Sequence, residues 1–232
     1  MIKRLQRLGI VLAVFGLAFI AAGGYAFLKV QDGTRSLNAF SAAQNVKLTY
    51  NEAGQLTDRG TPEGAQAIMS LLTDEWKYPV SSAELDPNDP LVNTASEYMF
   101  QMAAVTYHTL NGTQTVILDE DFTAEDGTVY TAGVPYEIAV AGRYWSEFDR
   151  NNPIDAAVRE QAWTGVAHAL VAELGVGTAT ASSLQLGLGV AGGFAGIGFA
   201  FILTGLGLVW AVRPVEIEER ARALNPALAP VA

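Results

Sequence analysis

The residues best suited to chemistry are acidic and amide side chains that occur twice with the same spacing. Each copy has the form Asp-x-Asn-x-Pro, with a Glu eleven residues after the Asp. Oxygen ligands at these positions match the first, third and twelfth places of a calcium-binding loop. The fifth place is Pro in both copies and the sixth is not Gly, so the residues also fit a simpler role in capping a helix. The candidate ligands for a divalent cation are Asp86, Asn88, Glu97, Asp149, Asn151 and Glu160.

Two histidines, His108 and His168, are the other candidates for a metal site, and each lies late in a segment that follows one of the motifs. Two imidazoles with a Glu would form a metal triad. No His-x-x-x-His or His-Glu spacing is present, however, so a hydrogen-bonded packing role is the favoured interpretation of each His. The sequence contains no nucleophile elbow, phosphate-binding loop or catalytic-triad order, so it predicts no catalytic residue, no cofactor and no enzyme. Because Cys is absent, disulfides, zinc–thiolate sites and iron–sulfur clusters are excluded.

An internal repeat is expected to position these candidates. Residues 84–91 match residues 147–154, and further matches give two copies at about 47–110 and 113–175. We predict a duplicated helix and β-hairpin domain of the α+β class, in which each Asx-Pro pair begins a helix. The expected helices run from Pro62 to Trp76, from Asp89-Pro90 to Leu110 and from Asn152-Pro153 to Leu174, and the hairpin uses residues 113–118 and 128–140 around Asp126-Gly127.

Two apolar stretches flank this domain. Residues 8–28 contain no charged side chain, and at ~1.5 Å per residue they span about 31 Å, close to the ~30 Å hydrocarbon core of a bilayer. No charge occurs between Glu173 and Arg213, and residues 186–212 are the most apolar part of that run. We therefore predict two transmembrane helices. The predicted divisions are 1–30 (N-terminus and uncleaved first helix), 31–183 (outer domain), 184–213 (second helix) and 214–232 (tail), with a polar stalk or short helix at 34–46 after Asp32-Gly33.

The charges predict the orientation of the chain in the plasma membrane. Lys and Arg lie before the first apolar stretch and after the second, whereas residues 160–185 have none, so both termini are expected in the cytoplasm. Between Val30 and Gln185 there are 21 Asp or Glu against 7 Lys or Arg, a difference of −14. This charge argues against nucleic-acid binding and suits a basic partner or a divalent cation. The basic residues are Lys3, Arg4 and Arg7 on one side, and Arg213, Arg220 and Arg222 on the other.

Glycines in the apolar stretches are expected to mark helix contacts. Glycine lowers helix propensity, and lipid gives it no packing advantage, so a glycine face indicates close approach of another helix. In the first stretch the glycines recur every seven residues, and in the second they form two overlapping Gly-x-x-x-Gly motifs. The predicted packing residues are Gly9, Gly16, Gly23, Gly189, Gly192, Gly193 and Gly196. Two arrangements remain open: the helices pack on each other, or they dock on other membrane subunits.

From Tyr50 through Val212 the chain resembles a family of actinobacterial two-span membrane proteins of unassigned role, some of which carry the label of an aromatic ring-opening dioxygenase subunit. The residues that carry the resemblance are Asp58-Arg59-Gly60-Thr61, 85–90 (Leu-Asp-Pro-Asn-Asp-Pro), Tyr107-His108-Thr109-Leu110 and 161–165 (Gln-Ala-Trp-Thr-Gly). A dioxygenase is not expected, because no recognisable iron triad is present. The resemblance implies an accessory subunit beside a large membrane assembly such as the respiratory supercomplex.

The function predicted from these features is that of a non-enzymatic interaction subunit. Its glycine-faced helices would dock on other membrane proteins in the lipid bilayer, and its acidic outer domain would contact a partner. The alternative is an extracytoplasmic module that senses a cation or a solute through the repeated Asx-Pro loops.

Overall fold

The structure is a computed structural model that describes residues 2–224, with side chains placed for residues 3–213 and for Ile217. Arg220, Arg222 and residues 225–232 of the predicted tail therefore lie outside the described side chains. The chain forms two compact units. One is made of the residues up to Ser36 together with those from Ser183 onward, and the other is Leu37–Ser182.

Two long helices dominate the chain: α1 (Ile2–Gln44) has 43 residues and α5 (Gly165–Leu224) has 60. At ~1.5 Å per residue they are about 64 Å and 90 Å long, more than twice the thickness of a hydrocarbon core. Both are long and apolar enough to cross a membrane. Only 11% and 17% of their most apolar 18-residue windows are buried within the protein. A core helix of a soluble protein would be mostly buried, so the fold includes two apolar helices suited to lipid.

The first helix does not end where the sequence predicted. A polar stalk or a short helix was expected at 34–46 after Asp32-Gly33. The segment is helical, but it continues α1 without a break to Gln44. Gly33 serves close packing instead, because a Cβ at this position would lie 2.5 Å from Leu184 Cδ2. Asp32 and Arg35 form an exposed i,i+3 pair at 3.7 Å, which is compatible with the helix and contributes little to its stability.

The unit Leu37–Ser182 combines three short α-helices with three small antiparallel strand pairs, as well as the end of α1 and the start of α5. It also has a π-helical turn (Leu71–Glu75) and two 3-10 helices (Ser82–Glu84 and Trp145–Glu147). The helices are α2 (Pro62–Ser70), α3 (Ala95–Leu110) and α4 (Pro153–Ala162). The strands are β1 (Thr49–Tyr50) with β2 (Leu56–Thr57), β3 (Thr113–Ile117) with β6 (Pro135–Ala139), and β4 (Phe122–Thr123) with β5 (Val129–Tyr130). The predicted α+β character of the middle region is confirmed.

The helix predicted from Pro62 to Trp76 is confirmed at its start. The Thr61 hydroxyl accepts the Gly64 N–H, Pro62 occupies the first turn, and Glu63 lies near the positive end of the helix dipole. The last turn, Leu71–Glu75, is π-helical rather than α-helical.

The predicted start of the second helix is wrong. Asp89-Pro90 does not begin it: the Leu48 N–H donates to the Pro90 carbonyl, so this segment is extended against the chain before β1. The helix begins after Thr94, which forms a capping box with Glu97 and satisfies the first N–H groups of α3. The helix reaches Leu110, as predicted.

The predicted end of the third helix is also wrong. Asn152 caps α4 with Pro153 in the first turn, as expected, but α4 ends at Ala162 instead of Leu174. Trp163 leaves the helical conformation and its Nε1–H donates to the Arg143 carbonyl. The Thr164 hydroxyl then accepts the Ala167 N–H at the start of α5. The two repeat copies therefore differ locally, since only the second has a helix that begins at its Asx-Pro pair.

The hairpin predicted from residues 113–118 and 128–140 is confirmed as a two-part ribbon. Strand β3 pairs with β6 from Thr113 opposite Ala139 to Ile117 opposite Pro135, and β4–β5 extends it to a turn at Asp126-Gly127. Gly127 has φ +85°, a value that favours glycine. Val116 is fully buried on the face of β3 that packs against α4, while Thr115 and Ile117 point outward.

Candidate functional site

The glycines of α1 lie in close contact with α5. A Cβ at Gly9, Gly16 or Gly23 would come within 2.6–2.8 Å of a carbonyl oxygen of α5. The carbonyls belong to Gly205, Gly198 and Ala191 in that order, so each step of seven residues up α1 matches seven residues down α5. This is an antiparallel helix pair in which small residues allow the two backbones to meet.

Two residues of this contact, Gly198 and Gly205, were not among the predicted packing residues. A Cβ at Gly205 would meet the Gly9 carbonyl oxygen, and a Cβ at Gly198 would lie 2.7 Å from that of Gly16. Their signal was present in the sequence: Ala191, Gly198 and Gly205 repeat every seven residues, with the same period as the glycines of α1. The Gly-x-x-x-Gly spacing instead predicted contacts at Gly189, Gly192, Gly193 and Gly196.

The other predicted glycines of α5 form a separate, open face. Within the described part of the chain, nothing lies within 4 Å of a Cβ placed at Gly189, Gly192, Gly193 or Gly196, and all four residues are exposed. At 100° per residue this face points away from the face that meets α1. Leu203, seven residues beyond Gly196, continues the face and is 69% exposed. We call these four glycines the open glycine face.

The cation candidates of the first motif are used for local backbone bonds. Asp86 Oδ1 accepts the backbone N–H of Asn88 at 2.8 Å and its side-chain N–H at 2.9 Å, which forms a tight Asx turn. Asp86 and Asn88 are both exposed. Their oxygens therefore stabilise the loop ahead of α3.

Glu97 is 1% exposed and belongs to the helix cap rather than to this loop. Its Oε2 accepts the backbone N–H groups of Asn93 and Thr94 and the Thr94 hydroxyl, at 2.8–3.0 Å. Burial raises the pKa of Glu97 above its usual value, and Asp89 raises it further, although the donors from Asn93 and Thr94 act in the opposite direction. Its polar contacts are those of a structural acid.

The candidates of the second motif also have separate roles. Asp149 Oδ1 accepts the Asn151 N–H at 2.9 Å, and the Asp149 N–H donates to Asp155. Asp155 in turn binds Arg143 at 2.7 Å. Glu160 is exposed on α4. Within residues 2–224, no group of three or more His, Asp or Glu side chains is placed to hold a metal ion.

The two histidines have different surroundings. His108 Nε2 lies 3.0 Å and 3.1 Å from the two carboxylate oxygens of Asp58, and this contact links α3 to the turn after β2. His168 Nδ1 lies 3.0 Å from the Thr164 carbonyl oxygen, so this nitrogen carries the proton that the carbonyl accepts. The His168 ring also packs edge-on against Trp145, with ring centres 4.9 Å apart. His108 is therefore held by a carboxylate, and the exposed His168 by a backbone carbonyl and a neighbouring indole.

Searches for similar proteins found no matching protein family, curated protein or solved structure.

Proposed function

We propose that this chain is a two-pass protein of the plasma membrane that acts as a non-enzymatic interaction subunit. Its open glycine face docks against a transmembrane helix of another subunit. The observation that carries this proposal is that no described residue lies within 4 Å of a Cβ placed at these four glycines of α5, whereas Gly198 and Gly205 of the same helix are tightly packed.

Energetics support a packed state for the open glycine face. Each glycine in a helix interior costs roughly 0.8–1.0 kcal/mol relative to alanine, so four of them weaken α5 without any compensating contact in the single chain. A helix that packs over Gly189 and Gly193 recovers this cost, because the missing side chains let the two backbones approach and gain dispersion contacts.

The flanking charges support an orientation with both termini in the cytoplasm. Lys3, Arg4 and Arg7 precede the apolar part of α1, and Arg213 follows that of α5. The acidic unit Leu37–Ser182 then lies outside the cell. The resemblance to actinobacterial two-span proteins favours a large membrane assembly, such as the respiratory supercomplex, as the site of docking.

The proposal is tested by crosslinking in native membranes. A photocrosslinking side chain at Leu203 reports on the partner of the open glycine face, and Gly193→Leu blocks that face. The matched control is Gly24→Leu, because Gly24 of α1 is equally open, with nothing within 4 Å of its Cβ position. All three chains carry the photocrosslinker at Leu203. We expect a protein adduct in the otherwise unsubstituted chain and in Gly24→Leu, and we expect this adduct to be lost in Gly193→Leu.

Two results would contradict the docking proposal. The first is an adduct that persists unchanged in Gly193→Leu. The second is a background chain that crosslinks only to lipid and purifies from mild detergent as a monomer.

A further inference from the structure

The ribbon β3–β6 with its extension β4–β5 carries acidic residues but no basic ones. From Lys77 to Arg143 the sequence contains no other Lys or Arg, and residues 113–139 carry six carboxylates. These six are Asp119, Glu120, Asp121, Glu125, Asp126 and Glu137. Residues 113–139 therefore contribute six negative charges and no positive one.

Two adjoining grooves follow this ribbon, each with a volume of about 530 Å³. Phe122 lines both of them. One groove runs from Ile117 to Phe122 beside Pro153 and Ala157 of α4, and the other lies between the β4–β5 turn and the loop before α4. We call the two grooves together the ribbon trough.

The trough exposes some apolar side chains between its polar ones. We call its lining carboxylates the rim: Asp119, Glu120, Asp121, Glu125, Asp126 and Asp149. Ile117 is 57% exposed although it lies on a strand, and Phe122 stacks on Tyr130 with ring centres 6.3 Å apart. When a partner covers exposed aromatic and aliphatic surface, the burial stabilises the complex by roughly 25 cal/mol per Å². The apolar surface is therefore available to anchor a side chain of a partner.

Two rim carboxylates are held in place by the backbone. Asp121 Oδ1 accepts the Ala132 N–H at 2.8 Å, and Asp126 Oδ1 accepts the Thr128 N–H at 2.9 Å. The hydrogen bond from the Thr128 N–H holds the pKa of Asp126 below its usual value. The two hydrogen bonds fix these carboxylates in position along the trough.

The arginines beside the trough do not neutralise it. Arg143 binds Asp155 at 2.7 Å, and the Arg159 guanidinium lies 3.1 Å from the centre of the Trp145 ring. Arg150 follows Asp149 in the loop before α4, but it does not line either groove. The rim carboxylates also do not converge into a metal site within the described residues. Carboxylates spread along a trough that also exposes Phe122 and Ile117 match a peptide of alternating basic and apolar residues better than a single ion.

We infer that the ribbon trough binds a basic peptide segment of a partner protein, with lysine or arginine side chains on the rim and an apolar side chain against Phe122 and Ile117. This inference extends the proposed function from the helices to the unit Leu37–Ser182. The open glycine face lies outside that unit, so Gly193→Leu should leave peptide binding unchanged. The two proposals can therefore fail separately.

The test uses the full chain in nanodiscs of zwitterionic lipid, with binding to empty nanodiscs subtracted. The probes are a short peptide of alternating Lys and Leu and a Lys–Ser peptide of equal charge. Glu120→Gln/Glu125→Gln removes two rim charges, and Glu52→Gln/Glu75→Gln removes two exposed charges elsewhere in the same unit. Ile117→Ser removes the apolar anchor.

We expect the Lys–Leu peptide to bind more tightly than the Lys–Ser peptide. Glu120→Gln/Glu125→Gln should weaken Lys–Leu binding about tenfold, and Glu52→Gln/Glu75→Gln less than about twofold. Carboxylates in contact with the peptide contribute more to its affinity than distant ones, whose charge is screened by salt. Ile117→Ser should weaken binding of the Lys–Leu peptide severalfold and leave that of the Lys–Ser peptide unchanged.

Equal losses in the two charge variants would overturn the inference, since they would show only diffuse attraction to an acidic surface. Equal affinity for the two peptides would overturn it as well. Displacement of the peptide by Ca²⁺, beyond the effect of matched ionic strength, would assign the carboxylates to a metal and would also refute it.

Discussion

Glu97 places a carboxylate inside the unit Leu37–Ser182, where it is 1% exposed. Three donors on its Oε2 favour the charged form, but burial dominates and raises its pKa. An acid whose pKa is higher in the folded than in the unfolded protein binds more protons when folded. Its contribution to stability is therefore greatest at low pH and is lost as the pH rises through the folded pKa.

The first prediction follows from this sign. Glu97→Gln keeps an oxygen that accepts the Asn93 and Thr94 donors but removes the buried charge. The melting temperature of the unsubstituted protein minus that of Glu97→Gln should become more positive as the pH falls from about 8 to 5. Thermal unfolding of the full chain in detergent, followed by tryptophan fluorescence at each pH, measures this difference. A difference independent of pH, or one that falls at acid pH, would contradict the account.

At the scale of single residues, the sequence predicts the start of a helix correctly where it contains only one capping signal. Asn152-Pro153 was such a case and it begins α4. Asp89-Pro90 competed with Thr94 and Glu97 four to eight residues later, and the later pair prevailed because residues 90–92 are extended against residues 46–48. That long-range pairing cannot be read from the local pattern. The Thr-x-x-Glu capping box itself was readable from the sequence.

The start of α5 packs against α3 through a glycine. Tyr98 of α3 is 4% exposed and its hydroxyl lies 2.8 Å from Ser41 Oγ at the end of α1. The Tyr98 ring lies so close to Gly177 that a Cβ there would be 2.6 Å from it. Gly175, two residues earlier, has only ordinary contact with Met102, at 3.8 Å. Ser41, Tyr98 and Gly177 therefore join three elements of the unit.

The second prediction compares these two glycines. Gly177→Ala should destabilise the protein by about 1–3 kcal/mol, because the new methyl group must displace a buried ring. Gly175→Ala should be neutral or stabilising by up to about 1 kcal/mol, because alanine is the better helix former. Melting temperatures of the two full-length variants give the comparison. Equal effects would show that the Tyr98 ring does not limit the space at Gly177.

At the scale of elements, composition and periodicity predicted the apolar helices and the ribbon correctly. The length of α1 was underestimated, because Asp32-Gly33 resembles a helix end, whereas Gly33 lies within α1 beside Leu184. The helix break at Trp163 was missed because it depends on burial of that indole and its bond to Arg143, which are contacts between elements. The sequence indicated the helix contact only through a seven-residue period of small residues. It did not show which helix these residues contact.

At the scale of the whole chain, charge and hydropathy divide the molecule in the same way as the fold. The apolar parts of α1 and α5 are largely unburied, with only 11% and 17% of their most apolar windows covered, and they are flanked by Lys3, Arg4, Arg7 and Arg213. The excess of acidic residues lies between them. This division predicts a membrane topology that a single chemical measurement can test.

Because the protein has no Cys, single cysteines can be introduced without a background. Glu125→Cys lies at the turn of the ribbon, and Gln6→Cys precedes the apolar part of α1. Labelling of intact cells with a membrane-impermeant maleimide should modify Glu125→Cys fully and Gln6→Cys only after the cells are permeabilised. A Glu125→Cys chain protected in intact cells, or a Gln6→Cys chain labelled in them, would contradict a two-pass protein with its acidic unit outside.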